Sequence, residues 1–169
     1  MPFTPDILYS LSISSPSGVE KYLANPNAKT VDEDGNTLAH FAAKAVMEHD
    51  DLKNCGAVLA MLRNAGVDLN AVNKQGAAPV HLLVEEAVTC HYKPRLFDKA
   101  LTMLKDAGAD LTVKDQSARI AGLMAQGKVH GDEIKVLLKH GIDIGEKMQA
   151  ALREGFSSHA KDNGATPSR

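Results

Sequence analysis

Residues 35–43, with the sequence GNTLAHFAA, recur in altered form as residues 76–84, GAAPVHLLV. Each copy precedes an apolar stretch with helical spacing that ends in a glycine turn. These turns have the sequences LRNAGVDL at residues 62–69 and LKDAGADL at residues 104–111. A chain that repeats itself in this way builds a stack, because each unit buries its apolar face against a neighbour. We therefore expect an all-α fold made of stacked antiparallel helical pairs.

The spacing of the glycines gives the length of each unit. Gly35 and Gly76 are 41 positions apart, Gly66 and Gly108 are 42 apart, and Gly108 and Gly141 are 33 apart. The connection from one turn to the next motif keeps its length of ten positions. The extra residues of the first two units therefore fall after the motif histidine, and we expect these two units to have lengthened helices.

The repeated sequences resemble a known family. GNTLAHFAA is similar to the ankyrin-repeat motif Gly-x-Thr-Pro-Leu-His-x-Ala-Ala, and Gly-Ala-Asp-Leu is similar to the turn that leads into the β-finger of that family. The resemblance covers residues 31–145 and implies an ankyrin-repeat solenoid with β-turn fingers. Its units would span residues 31–72, 73–112 and 113–145. The third lacks the motif glycine, threonine and histidine, and is assigned mainly from its closing turn, LLKHGID at residues 137–143.

The N-terminal segment has helix-start signals of its own. A hydroxyl residue precedes proline at residues 4–5 and again at residues 15–16, a pattern typical of a capped first turn. It predicts helices at about residues 5–13 and 16–25. Residues 1–30 are therefore expected to form a divergent N-terminal helical pair.

The C-terminal end divides into two parts. Residues 146–156 carry apolar side chains at helical spacing, which predicts a capping helix that completes a single domain over residues 1–156. From residue 157 the composition becomes polar, with a glycine and a proline. Residues 157–169 are expected to form a flexible tail.

Several residues mark where the helices of the repeats begin and end. Thr37 suits an N-cap position, and Pro79 and Pro94 suit a first helical turn, where no amide hydrogen is needed. The glycines of the three closing turns suit left-handed C-caps. In the first unit we expect the second helix to include Leu52 and Leu62. First helices carry small apolar residues and second helices larger ones, which favours close stacking of the pairs.

Composition limits the class of protein. The chain has 169 residues, 44% of them hydrophobic, and its 19 basic and 21 acidic residues give a net charge of −2. This balance, with aromatic residues at only 4%, argues against nucleic-acid binding. Two cysteines cannot make a disulfide framework, and we find no signal-peptide pattern and no apolar run of about 20 residues. We expect a soluble, cytoplasmic monomer without membrane contact.

The motif histidines, His40 and His81, are the first candidates for catalysis. The resemblance implies a structural role instead, with each imidazole hydrogen-bonded near a helix start so that it ties neighbouring turns together. Ala78 replaces the threonine that would accompany His81. Phosphate-binding loops, His-Glu-x-x-His and Gly-x-Ser-x-Gly are all missing from the sequence. We therefore expect no enzymatic activity and no cofactor.

The lengthened segments hold a second group of candidate residues, with side chains that bind zinc in other proteins. They are His49, Asp50, Asp51 and Cys55 in the first unit, and Glu85, Glu86, Cys90 and His91 in the second. Stacking in register would bring the two sets near one another. However, no Cys-x-x-Cys or His-x-x-x-His spacing is present, and single cysteines usually pack as small apolar groups. We expect no metal site.

The remaining candidates lie on the expected finger tips and first helices. In ankyrin proteins these elements form a concave surface that commonly grips another protein. Charge changes sign along it, from acidic at residues 32–34 to mildly basic at residues 73–75 and mixed at residues 114–116. The candidate partner-binding residues are Asp32, Glu33, Asp34, Asn36, Lys44, Asn73, Lys74, Gln75, Glu85, Glu86, Lys114 and Gln116.

The sequence therefore predicts a protein-binding ankyrin module, acting as an adaptor or an inhibitor. One alternative is a microbial effector delivered into the host cytosol, where it would bind a host protein. Another is a metal-dependent or enzymatic module built on the lengthened segments.

Overall fold

The described part of the chain is all α-helical. A computed structural model describes residues 3–12, 15–25, 31–48, 52–89, 93–112, 122 and 131–145. These residues form seven helices, with one isolated β-bridge and no strand. The helices are α1 (Pro5–Ser12), α2 (Pro16–Leu23), α3 (Leu38–Glu48), α4 (Cys55–Asn64), α5 (Pro79–Thr89), α6 (Pro94–Asp106) and α7 (Gly131–Lys139).

The helices pack in two rows. In the first row α1 contacts α3, and α3 contacts α5; in the second, α2 contacts α4, α4 contacts α6, and α6 contacts α7. Helices consecutive in the chain, such as α3 and α4 or α5 and α6, also contact each other. Each helical pair therefore shares its apolar surface with the next pair.

The N-terminal helices form as the sequence predicts. The hydroxyl of Ser15 accepts a hydrogen bond from the amide of Gly18 at 3.4 Å, and Pro16 occupies the first turn of α2. Gly18 lies so close to α1 that an added Cβ would clash with the side chain of Ser10. Phe3 packs edge-on against Phe41 of α3, with ring centroids 5.3 Å apart. These contacts attach the N-terminal pair to the first repeated unit.

Residue size follows the predicted division in the first unit only. α3 contributes Ala39, Ala42 and Ala43 to the core, and all three are buried. α4 and α6 contribute larger side chains, among them Leu59 and Phe97, which are fully buried. The prediction of small residues on the first helices is wrong for α5, which buries larger side chains such as Leu83.

The closing turn occurs three times with the same geometry. Gly66, Gly108 and Gly141 all have positive φ, between 73° and 99°, so each helix ends in the left-handed conformation that the sequence predicts. The amide after each glycine bonds to a carbonyl at the end of the preceding helix: Val67 to Leu62, Ala109 to Leu104 and Ile142 to Leu137, each at 3.0 Å. An aspartate follows each of these turns, and its carboxylate accepts the amide two residues further along the chain. The pairs are Asp68 with Asn70, Asp110 with Thr112, and Asp143 with Gly145.

One local prediction about the second helices is corrected. Leu52 is buried, but α4 begins at Cys55, so Leu52 packs against the core from the connection before the helix. The described helices α4 and α6 have 10 and 13 residues.

Several predicted elements lie outside the described residues. They are the first helix of the third unit, the capping helix at residues 146–156 and the tail at residues 157–169. Among the helices that the structure describes, none is long and apolar enough to cross a membrane.

Candidate functional site

The first finger is a tight turn held by one side chain. An antiparallel bridge joins Val31 to Thr37, and the amide of Asp32 donates to the carbonyl of Asn36 at 2.9 Å. Oδ1 of Asp32 accepts the amides of Asp34 at 2.9 Å and Asn36 at 2.8 Å, and its Oδ2 accepts the side-chain amide of Asn36 at 3.0 Å. Asp32 was predicted to bind a partner, but its carboxylate is occupied within the turn.

The second finger repeats this arrangement with an amide in place of the carboxylate. The amide of Asn73 donates to the carbonyl of Ala77 at 2.9 Å. Oδ1 of Asn73 accepts the amides of Gln75 at 3.0 Å and Ala77 at 2.9 Å. Asn73 is 8% exposed, so this candidate also acts within its own turn.

Polar contacts join the two fingers directly. Nδ2 of Asn73 donates to Oδ1 of Asn36 at 2.8 Å, and the amide of Lys74 donates to the carbonyl of Asp34 at 2.9 Å. Because Asn36 donates in turn to Asp32, three side chains form one directional chain of hydrogen bonds that ends on a carboxylate. The fingers therefore present a single, ordered edge.

His40 ties the same two units together below the fingers. Its Nδ1 accepts the amide of Thr37 at 3.0 Å and lies 3.0 Å from the Thr37 hydroxyl. The opposite nitrogen, Nε2, donates to the carbonyl of Ala77 in the next unit at 2.8 Å. This pattern needs the neutral ring with its proton on Nε2. Burial lowers the pKa of His40 below its ordinary value, although the bond to Ala77 acts in the opposite direction.

This geometry has the structural character that the resemblance implied. Thr37 directly precedes α3, which is the N-cap position that the sequence predicts, and its hydroxyl lies against the imidazole. In the second unit Nδ1 of His81 accepts the amide of Ala78 at 2.8 Å, so the loss of the threonine hydroxyl leaves this bond intact.

The first helices also carry charged candidate residues. Nζ of Lys44 on α3 lies 3.9 Å from a carboxylate oxygen of Glu86 on α5. The Lys44 side chain is 54% exposed and that of Glu86 is 22% exposed, so this ion pair is loose and solvated. Glu85 is partly exposed on the same helix.

The predicted site residues now fall into separate groups. Asp32, Asn36 and Asn73 hold the fingers together, while Glu33, Asp34, Lys74 and Gln75 are exposed at the tips. Lys44, Glu85 and Glu86 lie on α3 and α5. Lys114 and Gln116 lie outside the described residues.

Two exposed residues were not singled out from the sequence. Val31 is 48% exposed and Val72 is 59% exposed, and they occupy equivalent positions, each directly before the residue that holds its finger turn. The signal was available, because an apolar residue at this position recurs with the 41-residue spacing of the motif. The charge pattern of the fingers does not reveal it.

A further polar contact joins α6 to the end of α7. The carboxylate of Asp98 accepts Nζ of Lys139, with the closer oxygen at 2.6 Å, and lies 2.7 Å from Nε2 of His140. The bond from Lys139, followed by that from His140, lowers the pKa of Asp98 below its ordinary value. The contact is on the row of second helices, so it connects units rather than forming part of the fingers.

Most of the residues weighed as zinc ligands are outside the part of the chain that the structure describes. Cys55 is 1% exposed and belongs to the core, whereas His49, Asp50, Asp51, Cys90 and His91 are not described. Within the described ranges no group of three or more His, Cys, Asp or Glu residues could hold a metal ion.

No family model matches the sequence, and no curated protein matches it.

Proposed function

We propose that this chain is an ankyrin-repeat protein that binds another protein through the edge of its two fingers and the adjoining faces of α3 and α5. The observation that supports this proposal is the set of contacts between the fingers. The bond from Asn73 to Asn36 and the bond from Lys74 to Asp34 fix the two tips relative to each other. A surface fixed before binding loses little conformational freedom when a partner docks.

The side chains at the tips provide electrostatic selectivity. The carboxylate of Asp34 and the ammonium of Lys74 are exposed and make no ion pair within the described residues. A partner with a basic group facing Asp34 and an acidic group facing Lys74 gains orientation and association rate. Partners with the opposite arrangement are disfavoured by like-charge contacts.

The structure determines which charges should be reversed in a test. Reversing Asp32 would break its turn, so that position cannot report on binding. The double variant Asp34→Lys/Lys74→Glu keeps the net charge and leaves the turn bonds in place. A matched control is Glu20→Lys/Lys21→Glu, which exchanges two exposed charges on α2.

The experiment uses affinity capture from a cell lysate, followed by measurement of the dissociation constant for the captured protein. We expect the finger variant to weaken binding at least about tenfold and the α2 variant to leave it unchanged. Circular dichroism and melting temperature would verify that both variants fold. Equal binding by the wild-type chain and the finger variant would rule out the proposed surface.

A further inference from the structure

A groove lies between the two N-terminal helices and contains no residue of the fingers. It has a volume of about 490 Å³ and is open to solvent. Ligand-binding clefts in proteins have volumes of this order. The larger side chains that line it are those of Asp6, Tyr9, Lys21 and Tyr22. The groove is therefore a second candidate site, separate from the finger edge.

The walls of the groove follow from the packing of α1 against α2. The two helices are in contact at Gly18, where an added Cβ would clash with the side chain of Ser10. Asp6 lies one turn before Ser10 on α1, and Tyr22 lies one turn after Gly18 on α2. Residues one turn apart share a helix face, so both side chains lie on the faces that meet, and both line the groove.

The groove carries one charge of each sign. Asp6 on α1 and Lys21 on α2 are both exposed, and neither makes an ion pair within the described residues. Their carboxylate and ammonium groups are therefore available to a ligand. A ligand that offers one basic and one acidic group complements both walls.

Two tyrosines add an apolar surface beside these charges. The chain has three tyrosines and no tryptophan, and two of the three line this groove. Tyr9 is 65% exposed, and Tyr22 is partly exposed. Tyrosine is enriched at protein interfaces and among the residues that contribute most to binding. Its ring packs well against aliphatic, proline or aromatic side chains.

The openness of the groove favours a polypeptide over a small molecule. Small-molecule sites enclose most of the surface of their ligand. Here both charged side chains are exposed and the groove is open, so a small molecule would remain largely in water. A segment of a protein can lie along such a groove and supply an apolar, a basic and an acidic side chain together.

We propose that the groove between α1 and α2 binds a segment of a second partner protein. An apolar residue of that segment packs against Tyr9 and Tyr22, a basic residue pairs with Asp6, and an acidic residue pairs with Lys21. The chain then holds two proteins, one at the finger edge and one at the N-terminal pair. This proposal does not rest on the function of the finger edge, because the two surfaces share no residue.

The test begins with a phage-displayed library of random peptides of about twelve residues. The library is selected in parallel on the immobilised full-length chain and on Glu20→Lys/Lys21→Glu. Peptides retained only by the wild type are synthesised with fluorescein, and their dissociation constants are measured by fluorescence anisotropy. We expect these peptides to carry a basic and an acidic residue beside an apolar one, and to bind the variant at least about tenfold more weakly.

Two further variants locate the binding site of the peptides. Tyr9→Ser removes an exposed ring and should also weaken binding at least about tenfold. Asp34→Lys/Lys74→Glu is the matched control, since it exchanges charges on the fingers, and it should bind the peptides like the wild type. The protein captured at the finger edge should show the reverse response to these variants. The two proposals can therefore fail separately.

Three results would overturn the inference. The first is a selection in which no peptide with both charges is retained only by the wild type. The second is unchanged peptide binding by Tyr9→Ser, with circular dichroism showing that the variant is folded. The third is a wild-type dimer in analytical ultracentrifugation that dissociates in Glu20→Lys/Lys21→Glu, which would assign the groove to a second copy of this chain.

Discussion

Replacing His40 with alanine should destabilise the protein strongly, because its ring joins the first unit to the second. The imidazole is 1% exposed and bonds to Thr37 on one side and to the carbonyl of Ala77 on the other. Without the ring, one buried amide and one buried carbonyl lose their partners, at about 1–3 kcal/mol each. Loss of packing adds to this cost, and we expect about 3–5 kcal/mol in total.

Urea unfolding followed by circular dichroism provides the measurement. Thr37→Val is the control, because it removes the hydroxyl that lies 3.0 Å from Nδ1 and retains the two hydrogen bonds between the ring and the backbone. This variant should lower the free energy of unfolding by about 1 kcal/mol. Hydrogen exchange should also accelerate at the Thr37 amide in the alanine variant. If His40→Ala costs no more than Thr37→Val, the ring does not join the two units energetically.

Three further outcomes follow from polar contacts in the described residues. Burial lowers the pKa of His40 in the folded chain, so the unfolded chain binds the proton more readily. The free energy of unfolding should therefore fall as the pH drops below about 6.5. Urea midpoints that change equally in His40→Ala and wild type between pH 7.5 and 5 would contradict this prediction. Asn36→Asp places a second carboxylate against Asp32. At pH 7 it should lower the free energy of unfolding by about 1–3 kcal/mol more than Asn36→Ala does, as measured by urea unfolding. This difference between the two variants should disappear in acid, where the carboxylates are protonated. Asp98→Asn removes the negative charge that pairs with Lys139 and should lower the free energy of unfolding by about 1 kcal/mol or less at pH 7. Thermal melts of this variant and the wild type should converge at a pH low enough to protonate Asp98.

Helix ends were well predicted because each depends on a local rule. Proline opens α5 and α6 at Pro79 and Pro94, where its missing amide hydrogen costs nothing. Gly66 ends its helix in a conformation that side chains with a Cβ disfavour. Leu52 was assigned to a helix wrongly, because an apolar residue at helical spacing can also be buried from a connecting segment.

The candidate site was predicted less well because polarity does not show what a side chain bonds to. Asp32 and Asn73 have the composition of a binding surface, yet their acceptor oxygens are occupied by amides of their own turns. The contact of Asp98 with His140 joins residues 42 positions apart and depends on how α6 and α7 align. The exposed valines could have been found from the repeat alignment, since Val72 follows Val31 by 41 positions.

The bond from His40 to Ala77 also sets an order of events during synthesis. The ribosome releases the whole of α3 and α4 before residue 77 leaves the exit tunnel. Until then the Nε2 proton has no carbonyl to meet, and the alanine-rich side of α3 has no α5 to cover it. The hydrogen bonds and the buried surface of the first unit are therefore complete only after the first helix of the second unit has emerged.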